Sequence, residues 1–186
     1  MTPAHQLKDR ITVEGYLLGE NDGTWRHELV GGRIYAMAGA SERHNTVQLN
    51  VAGAFNLSVA DPCRVFSGDM KLRVDVGDDV RFYYPDVFVS CAPSTDDGYV
   101  RRDAVLIVEV LSPTTERTDR YEKFAAYKEL PMLSEYVLLA QDVPSVEVYR
   151  RRANWLVETY GPGDAVAFES IGQTMTVEQI YNRVKF

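Results

Sequence analysis

Glu109 stands inside Ala104-Val105-Leu106-Ile107-Val108-Glu109-Val110-Leu111, a run that is otherwise entirely aliphatic. Side chains alternate faces along a strand, which puts Glu109 with Val105, Ile107 and Leu111. Taking an unpaired carboxylate out of water costs on the order of several kcal/mol, so the fold must give it a cation, a cluster of donors or a proton. A second acid, Asp86, follows Pro85 at the head of Val87-Phe88-Val89. Proline in a strand is confined to a start, an edge or a bulge, which places Asp86 near a strand beginning. If the two strands are neighbours, opposed residues have Cβ atoms about 4.5–5.5 Å apart, close enough for two carboxylates to hold one hard cation. Oxygen-only ligation favours magnesium or manganese over zinc, and such a cation can activate water and neutralise charge on a phosphodiester transition state. The strand offers no ammonium to complete the site, because the residue two beyond Glu109 is Leu111. The next segment does: Asp119, Lys123 and Tyr127 recur at i, i+4 and i+8, which makes one polar stripe on a helix.

Each of these residues also has a plainer reading. Glu109 would serve equally as one half of a buried salt bridge to Arg73 or Arg81, since buried charges are usually paired. Asp86 alone reads as a turn cap, and Asp119 with Lys123 as a solvated helical ion pair of little energetic weight.

The elements that must position these groups follow from periodicity. A short helix is expected over 12–19, then two strands over 25–38 around Gly31-Gly32, with Glu28 on the first. Ser41 is placed to cap a helix reaching about residue 60, whose apolar side would be Val47, Val51, Ala54, Phe55 and Leu57. Strands are expected over 64–66, 70–76 and 81–91, with a turn at 77–79. The run 104–111 has the unbroken aliphatic character of a central strand covered on both faces. A helix over 115–130 should pack Tyr121, Phe124 and Ala125 on the sheet before Pro131 ends it. Strands over 135–140, 145–151 and 155–160 and a short helix near 177–183 complete the pattern. The architecture is an α/β sheet flanked by helices, without internal repeats, low-complexity tracts or linkers.

The 186 residues and 45% hydrophobic content suit one domain spanning 1–186, with 1–10 a flexible lead. Nothing resembles a secretory signal or a run of roughly 18 apolar residues, so a cytoplasmic protein with no membrane partner is expected. Cys63 and Cys91, far apart and outside any CxxC pair, read as buried reduced thiols. A net charge of −7 argues against a protein that coats nucleic acid, because phosphate affinity comes largely from lysine and arginine. It leaves room for an enzyme whose carboxylates gather around a metal ion. The arginine runs at 101–102 and 150–152 read as solvated positions.

The sequence resembles the PD-(D/E)XK nuclease superfamily and, within it, the Uma-type family of restriction endonuclease domains. The matching blocks are His27-Glu28-Leu29-Val30-Gly31-Gly32-Arg33-Ile34, Pro85-Asp86-Val87, Val108-Glu109-Val110-Leu111-Ser112-Pro113-Thr114-Thr115, Asp119-Arg120-Tyr121-Glu122-Lys123 and Glu135-Tyr136-Val137-Leu138. They occur in the family's order over roughly 10–160, a far more specific signal than a lone PD dipeptide. The resemblance implies a restriction endonuclease-like mixed central β-sheet flanked by helices, with an N-terminal β-hairpin. It implies Asp86, Glu109 and the Val110 carbonyl as ligands of Mg2+ or Mn2+, and Glu28 as support for the metal or its water. Lys123 would replace the missing strand lysine, with Lys71 in reserve, and His44 matches a recurrent family position. Asp119 and Tyr127 would stand in support.

The function so implied is metal-dependent endonucleolytic hydrolysis of DNA, and cutting both strands would favour a homodimer. Two other classes compete with it. One is a catalytically inactive nucleic-acid-binding or regulatory domain that keeps the fold. The other is an interaction protein whose carboxylates simply bridge arginines.

Overall fold

The computed structural model describes residues 10–22, 25–37, 39–93 and 98–186. In chain order they form α1 (Val13–Asp22), β1 (His27–Val30), β2 (Arg33–Ala36), α2 (Glu42–Ser58), β3 (Arg64–Ser67), β4 (Lys71–Val76), β5 (Asp79–Tyr83) and β6 (Val87–Ser90). Then come β7 (Val100–Arg101), β8 (Ala104–Leu111), a π-helical turn (Thr118–Lys123) running into α3 (Phe124–Tyr127), and β9 (Glu135–Ala140). The chain closes with β10 (Val146–Arg150), β11 (Val157–Tyr160), β12 (Ala165–Phe168), β13 (Gln173–Thr176) and α4 (Val177–Ile180).

The aliphatic run becomes β8, inside a six-stranded mixed sheet of order β11-β10-β9-β8-β6-β3. It is parallel to β9 and antiparallel to β6, and only Val105 of its residues is not fully buried. A second sheet has the order β2-β1-β5-β4-β7. Leu72, Val74 and Tyr83 from this sheet meet Ile107, Tyr136 and Leu138 of the larger one, with Ala126 and Tyr127 in the same cluster. On the other side of β8, Val108 and Val110 join Val47, Val51 and Phe55 of α2 and Val166 and Phe168 of β12. Tyr16 of α1 covers Leu29 and Phe82 of the smaller sheet.

Local chemistry explains the boundaries. Gly31 and Gly32 both take positive φ, 58° and 73°, which a two-residue hairpin turn requires at both positions. Ser41 caps α2 by accepting the His44 N–H at 3.1 Å. Thr176 and Gln179 make a reciprocal capping box for α4.

Several expectations need correction. The run 81–91 is two strands, because Tyr84-Pro85-Asp86 carries the chain from β5 in one sheet to β6 in the other. Proline has no N–H for a ladder, and it marks that crossing. Val105 does not share Glu109's face: a register shift between β6 and β8 turns it toward the α2 side. The helix after β8 is π-helical in its first part, and the extra residue per turn rotates its faces. Because the stripe of Asp119, Lys123 and Tyr127 is the buried face, Tyr121 and Ala125 on the opposite side point outward. Leu57 of α2 is 90% exposed rather than packed. Three short strands, β7, β12 and β13, had no legible periodicity in two to four residues. The expected strand end at Ala38 and the lead over 1–9 lie outside the described residues.

Cys63 and Cys91 are joined by a disulfide rather than carried as thiols. The antiparallel pairing of Arg64 with Ser90 puts the two flanking cysteines opposite each other, a proximity that sequence spacing does not reveal. The cysteine-based argument for a reducing compartment therefore falls away. Among the described residues, no helix is long and apolar enough to cross a membrane.

Phe55 is fully buried and meets the Phe168 ring edge-on at 4.8 Å between centroids, tying α2 to the β12–β13 hairpin. Phe55→Ala should lower unfolding free energy by about 3–5 kcal/mol, read by urea denaturation. A loss below about 1 kcal/mol would mean that this contact does not hold α2 in place.

Candidate active site

β6 begins at Val87, opposite Val108, so Asp86 stands one step earlier beside Glu109. The two acids are locked to each other's backbone. The Asp86 N–H donates to Glu109 Oε2 at 3.2 Å, and the Val110 N–H donates to Asp86 Oδ2 at 2.7 Å. The cause is topological. β6 starts only after the Pro85 crossing while β8 runs on past its first residue, which leaves the Val110 N–H without a partner on β6, and the Asp86 carboxylate takes the place of the missing carbonyl.

The π turn and α3 deliver the cation. Lys123 Nζ lies 3.1 Å from Asp119 Oδ1, 3.2 Å from Glu109 Oε1 and 3.3 Å from Glu28 Oε1. The Asp119 oxygen is close enough to pair with the ammonium but is not aligned to accept a hydrogen bond from it. Tyr127 donates to Glu109 Oε1 at 2.8 Å, and Tyr136 donates to the Asp119 carbonyl at 2.9 Å. Burial pushes the Glu28 carboxyl up and the Glu109 carboxyl well above its usual range, with the Lys123 charge pulling both the other way. For Lys123 burial alone would lower the ammonium, yet Glu109, Glu28, Asp119 and Asp86 together hold it well above the ordinary lysine value.

His44, three residues into the capped start of α2, pairs through Nε2 with Asp86 Oδ2 at 3.2 Å. Burial works against its imidazolium, but the hydrogen bond and charge of Asp86 outweigh that and raise its pKa. One helical turn on, Gln48 donates to the Asp86 carbonyl at 2.9 Å, and Ser67 donates to the same oxygen at 2.9 Å. Glu28 is positioned through its hairpin. Glu20 of α1 accepts from the His27 N–H at 3.2 Å and meets His27 Nδ1 at 3.0 Å. Tyr84 donates to the other Glu20 oxygen at 2.5 Å, and Tyr16 donates to the His27 carbonyl at 2.7 Å.

The structure thus brings Glu28, His44, Asp86, Glu109, Val110, Asp119, Lys123 and Tyr127 into one cluster. Lys71 is not the ammonium beside Glu109; it is buried, with its Nζ 5.6 Å from the Tyr84 ring centre. The plainer reading of Glu109 fails, since Arg73 pairs with Asp75 and Arg81 with Asp79 and Glu122. Sequence reasoning missed Gln48 and Glu20. Gln48 carried a signal in its i+4 spacing from His44, whereas Glu20 had none, because its partners lie on β1 and in the β5–β6 crossing.

The donor set fits a hard cation. It consists of oxygens: the Asp86 and Glu109 carboxylates and the Val110 carbonyl, on a chain segment already turned toward Asp86. Among the described residues, no group of three or more His, Cys, Asp and Glu side chains converges as a metal cage. Two carboxylates and a backbone carbonyl suit magnesium, which keeps several waters and takes one or two carboxylates. Four carboxyl groups around one ammonium and one imidazole also leave the cluster short of positive charge. Lys123→Met should therefore cost about 3–5 kcal/mol of stability in chelator, because it strands buried carboxylates. Glu109→Gln, which removes one like charge, should cost under about 1 kcal/mol in the same urea titration. The reverse ranking would mean that the ammonium is not what holds the acids together.

Several known proteins are similar to this chain. The uncharacterized protein slr1290 of Synechocystis sp. is 31% identical over 181 residues, covering 95% of this chain and 94% of that protein. A second Synechocystis protein, sll1609, also uncharacterized, is 32% identical over 165 residues, covering 85% and 92%. Among solved structures, one from Anabaena variabilis, titled a "putative nuclease belonging to DUF820", matches with a TM-score of 0.70 over 92% of this chain and 97% of its own. At 20% identity that likeness shows the fold alone, a mixed α/β arrangement of sheets flanked by helices. The family profile described as "Putative restriction endonuclease" matches residues 13–178, and the chain belongs to that family, Uma2.

Proposed function

We propose that this chain is an endonuclease that hydrolyses DNA phosphodiester bonds with a divalent cation, Mg2+ or Mn2+. The observation that carries the reading is the placement of Lys123 Nζ within 3.3 Å of both Glu28 and Glu109 while Asp86 is locked to Glu109. Asp86, Glu109 and the Val110 carbonyl would hold the cation. A divalent ion there would neutralise charge on the phosphoryl oxygens and make water a stronger nucleophile. Lys123 would orient that water or stabilise negative charge as it develops on the phosphate, a donor fixed before the reaction begins. Tyr127 and His44 fix one oxygen each of Glu109 and Asp86, which limits the carboxylates' motion during turnover. Glu28 would support the metal or its water.

Specific observations weigh against a purely electrostatic nucleic-acid binder. Arg101 is buried against Ser90 and Asp103, and Arg150 is buried against Glu135 and Glu158. Arg151 is spent on the Leu130 and Leu133 carbonyls and Arg152 on Glu169. Arg101, Arg150 and Arg151 are therefore internal ties and Arg152 a surface pair, with Arg102 exposed, and a cation at the acidic cluster is the better source of phosphate affinity.

With labelled DNA and magnesium, Asp86→Ala and Lys123→Met should each lower the cleavage rate by at least about 10²-fold, and chelator should abolish it. Cleavage that survives Asp86→Ala would place the chemistry elsewhere. Calorimetry with Mn2+ should show one binding event lost in Glu109→Gln; identical isotherms for both proteins would remove the metal from this site.

A further inference from the structure

The β1–β2 hairpin shows more than Glu28 to the site. Directly opposed residues in an antiparallel pair share a face, and here Glu28 opposes Tyr35 and Val30 opposes Arg33. Val30 packs into the cluster that contains Tyr127 and Leu138, so this is the face turned to the candidate site. The opposite face carries Leu29, which packs with Tyr16 and Phe82. Tyr35 and Arg33 thus flank Glu28 on an exposed strand that forms the outer edge of the smaller sheet. Tyr35 is 52% exposed, and its Cβ should lie about 5 Å from that of Glu28. Arg33 is exposed and, among the described residues, pairs with no carboxylate.

We propose that Arg33 and Tyr35 are positioning residues that grip the nucleic acid strand beside the scissile phosphate. Tyr35 stacks on an unpaired base, and Arg33 pairs with a backbone phosphate. The proposal rests on the nuclease reading above and adds a substrate class to it: DNA with a single-stranded segment at the cut. Charge and shape both point that way. A chain of net charge −7 gains little from overall attraction to a polyanion, so a stacked ring adds affinity that charge does not supply. An aromatic ring can stack only on a base whose face is free, which a duplex hides. A free guanidinium two residues along the same strand face supplies the backbone contact.

The test is steady-state cleavage of a labelled single strand and of a blunt duplex by the full chain with magnesium. Tyr35→Ala should raise KM on the single strand about tenfold with kcat within about threefold, and leave the duplex nearly unaffected. Tyr35→Phe, which keeps the ring, should behave as wild type. Arg33→Gln should reduce the salt dependence of kcat/KM by about one charge. If the wild type cleaves but the variants keep its KM and salt slope, the rim is wrong and the nuclease reading stands. An equal KM rise on duplex and single strand would also overturn it, since stacking would not be the interaction lost. Should the wild type cleave neither substrate, the nuclease reading falls, and anisotropy titrations of the same oligonucleotides judge the rim alone. Tighter single-strand binding lost in Tyr35→Ala would then support it; no binding, or binding indifferent to Tyr35, would overturn it.

Discussion

One ammonium shared by three carboxylates is the constraint around which the rest of this molecule is arranged. Lys123 is buried, and so are Glu109 and Asp119, at a depth where an unpaired charge of either sign would be too costly to keep. The ammonium cannot be withdrawn alone, because it is the charge that the buried acids share. The consequences reach outward: the acids fix where β8 and the Pro85 crossing must lie, and the lysine fixes the rotation of the segment that follows.

The π turn tightens that arrangement. In an ordinary α-helix residues i, i+4 and i+8 already share one face, each displaced by about 40° from the last, and the wider turn brings Asp119, Lys123 and Tyr127 more nearly into line. With the wider turn, Asp119, Lys123 and Tyr127 all reach Glu109 or its ammonium while Tyr121 is left in solvent. Around this centre a ring of neutral donors holds the acids still: Tyr127 on Glu109, Gln48 and Ser67 on the Asp86 backbone, and Tyr84 on Glu20. The excess of carboxylates makes the cluster a poor contributor to stability, and under the proposed function a bound cation would offset it.

How much of this was legible in the sequence depends on the kind of signal each residue carried. Glu109 was visible because a charge broke an aliphatic run, and β8 was read to its ends for the same reason. Asp86 was visible through Pro85, although the crossing between sheets was not, since one apolar run can continue into a second sheet without a change of composition. Lys123 was legible from its spacing to Asp119 and Tyr127, but that the polar stripe is the buried face was not, and so Tyr121 and Ala125 were placed on the wrong side. The disulfide and Glu20 depended wholly on which strands meet, information that resides in pairing rather than in local pattern.

A crystal soaked in Mn2+ tests the central claim most directly, through the anomalous signal of the ion. The account predicts a peak between Asp86 and Glu109, with carboxylate oxygens at roughly 2.0–2.2 Å and Lys123 still within reach of Glu109. No ion at those two acids at millimolar Mn2+, with Lys123 turned out into solvent, would contradict it.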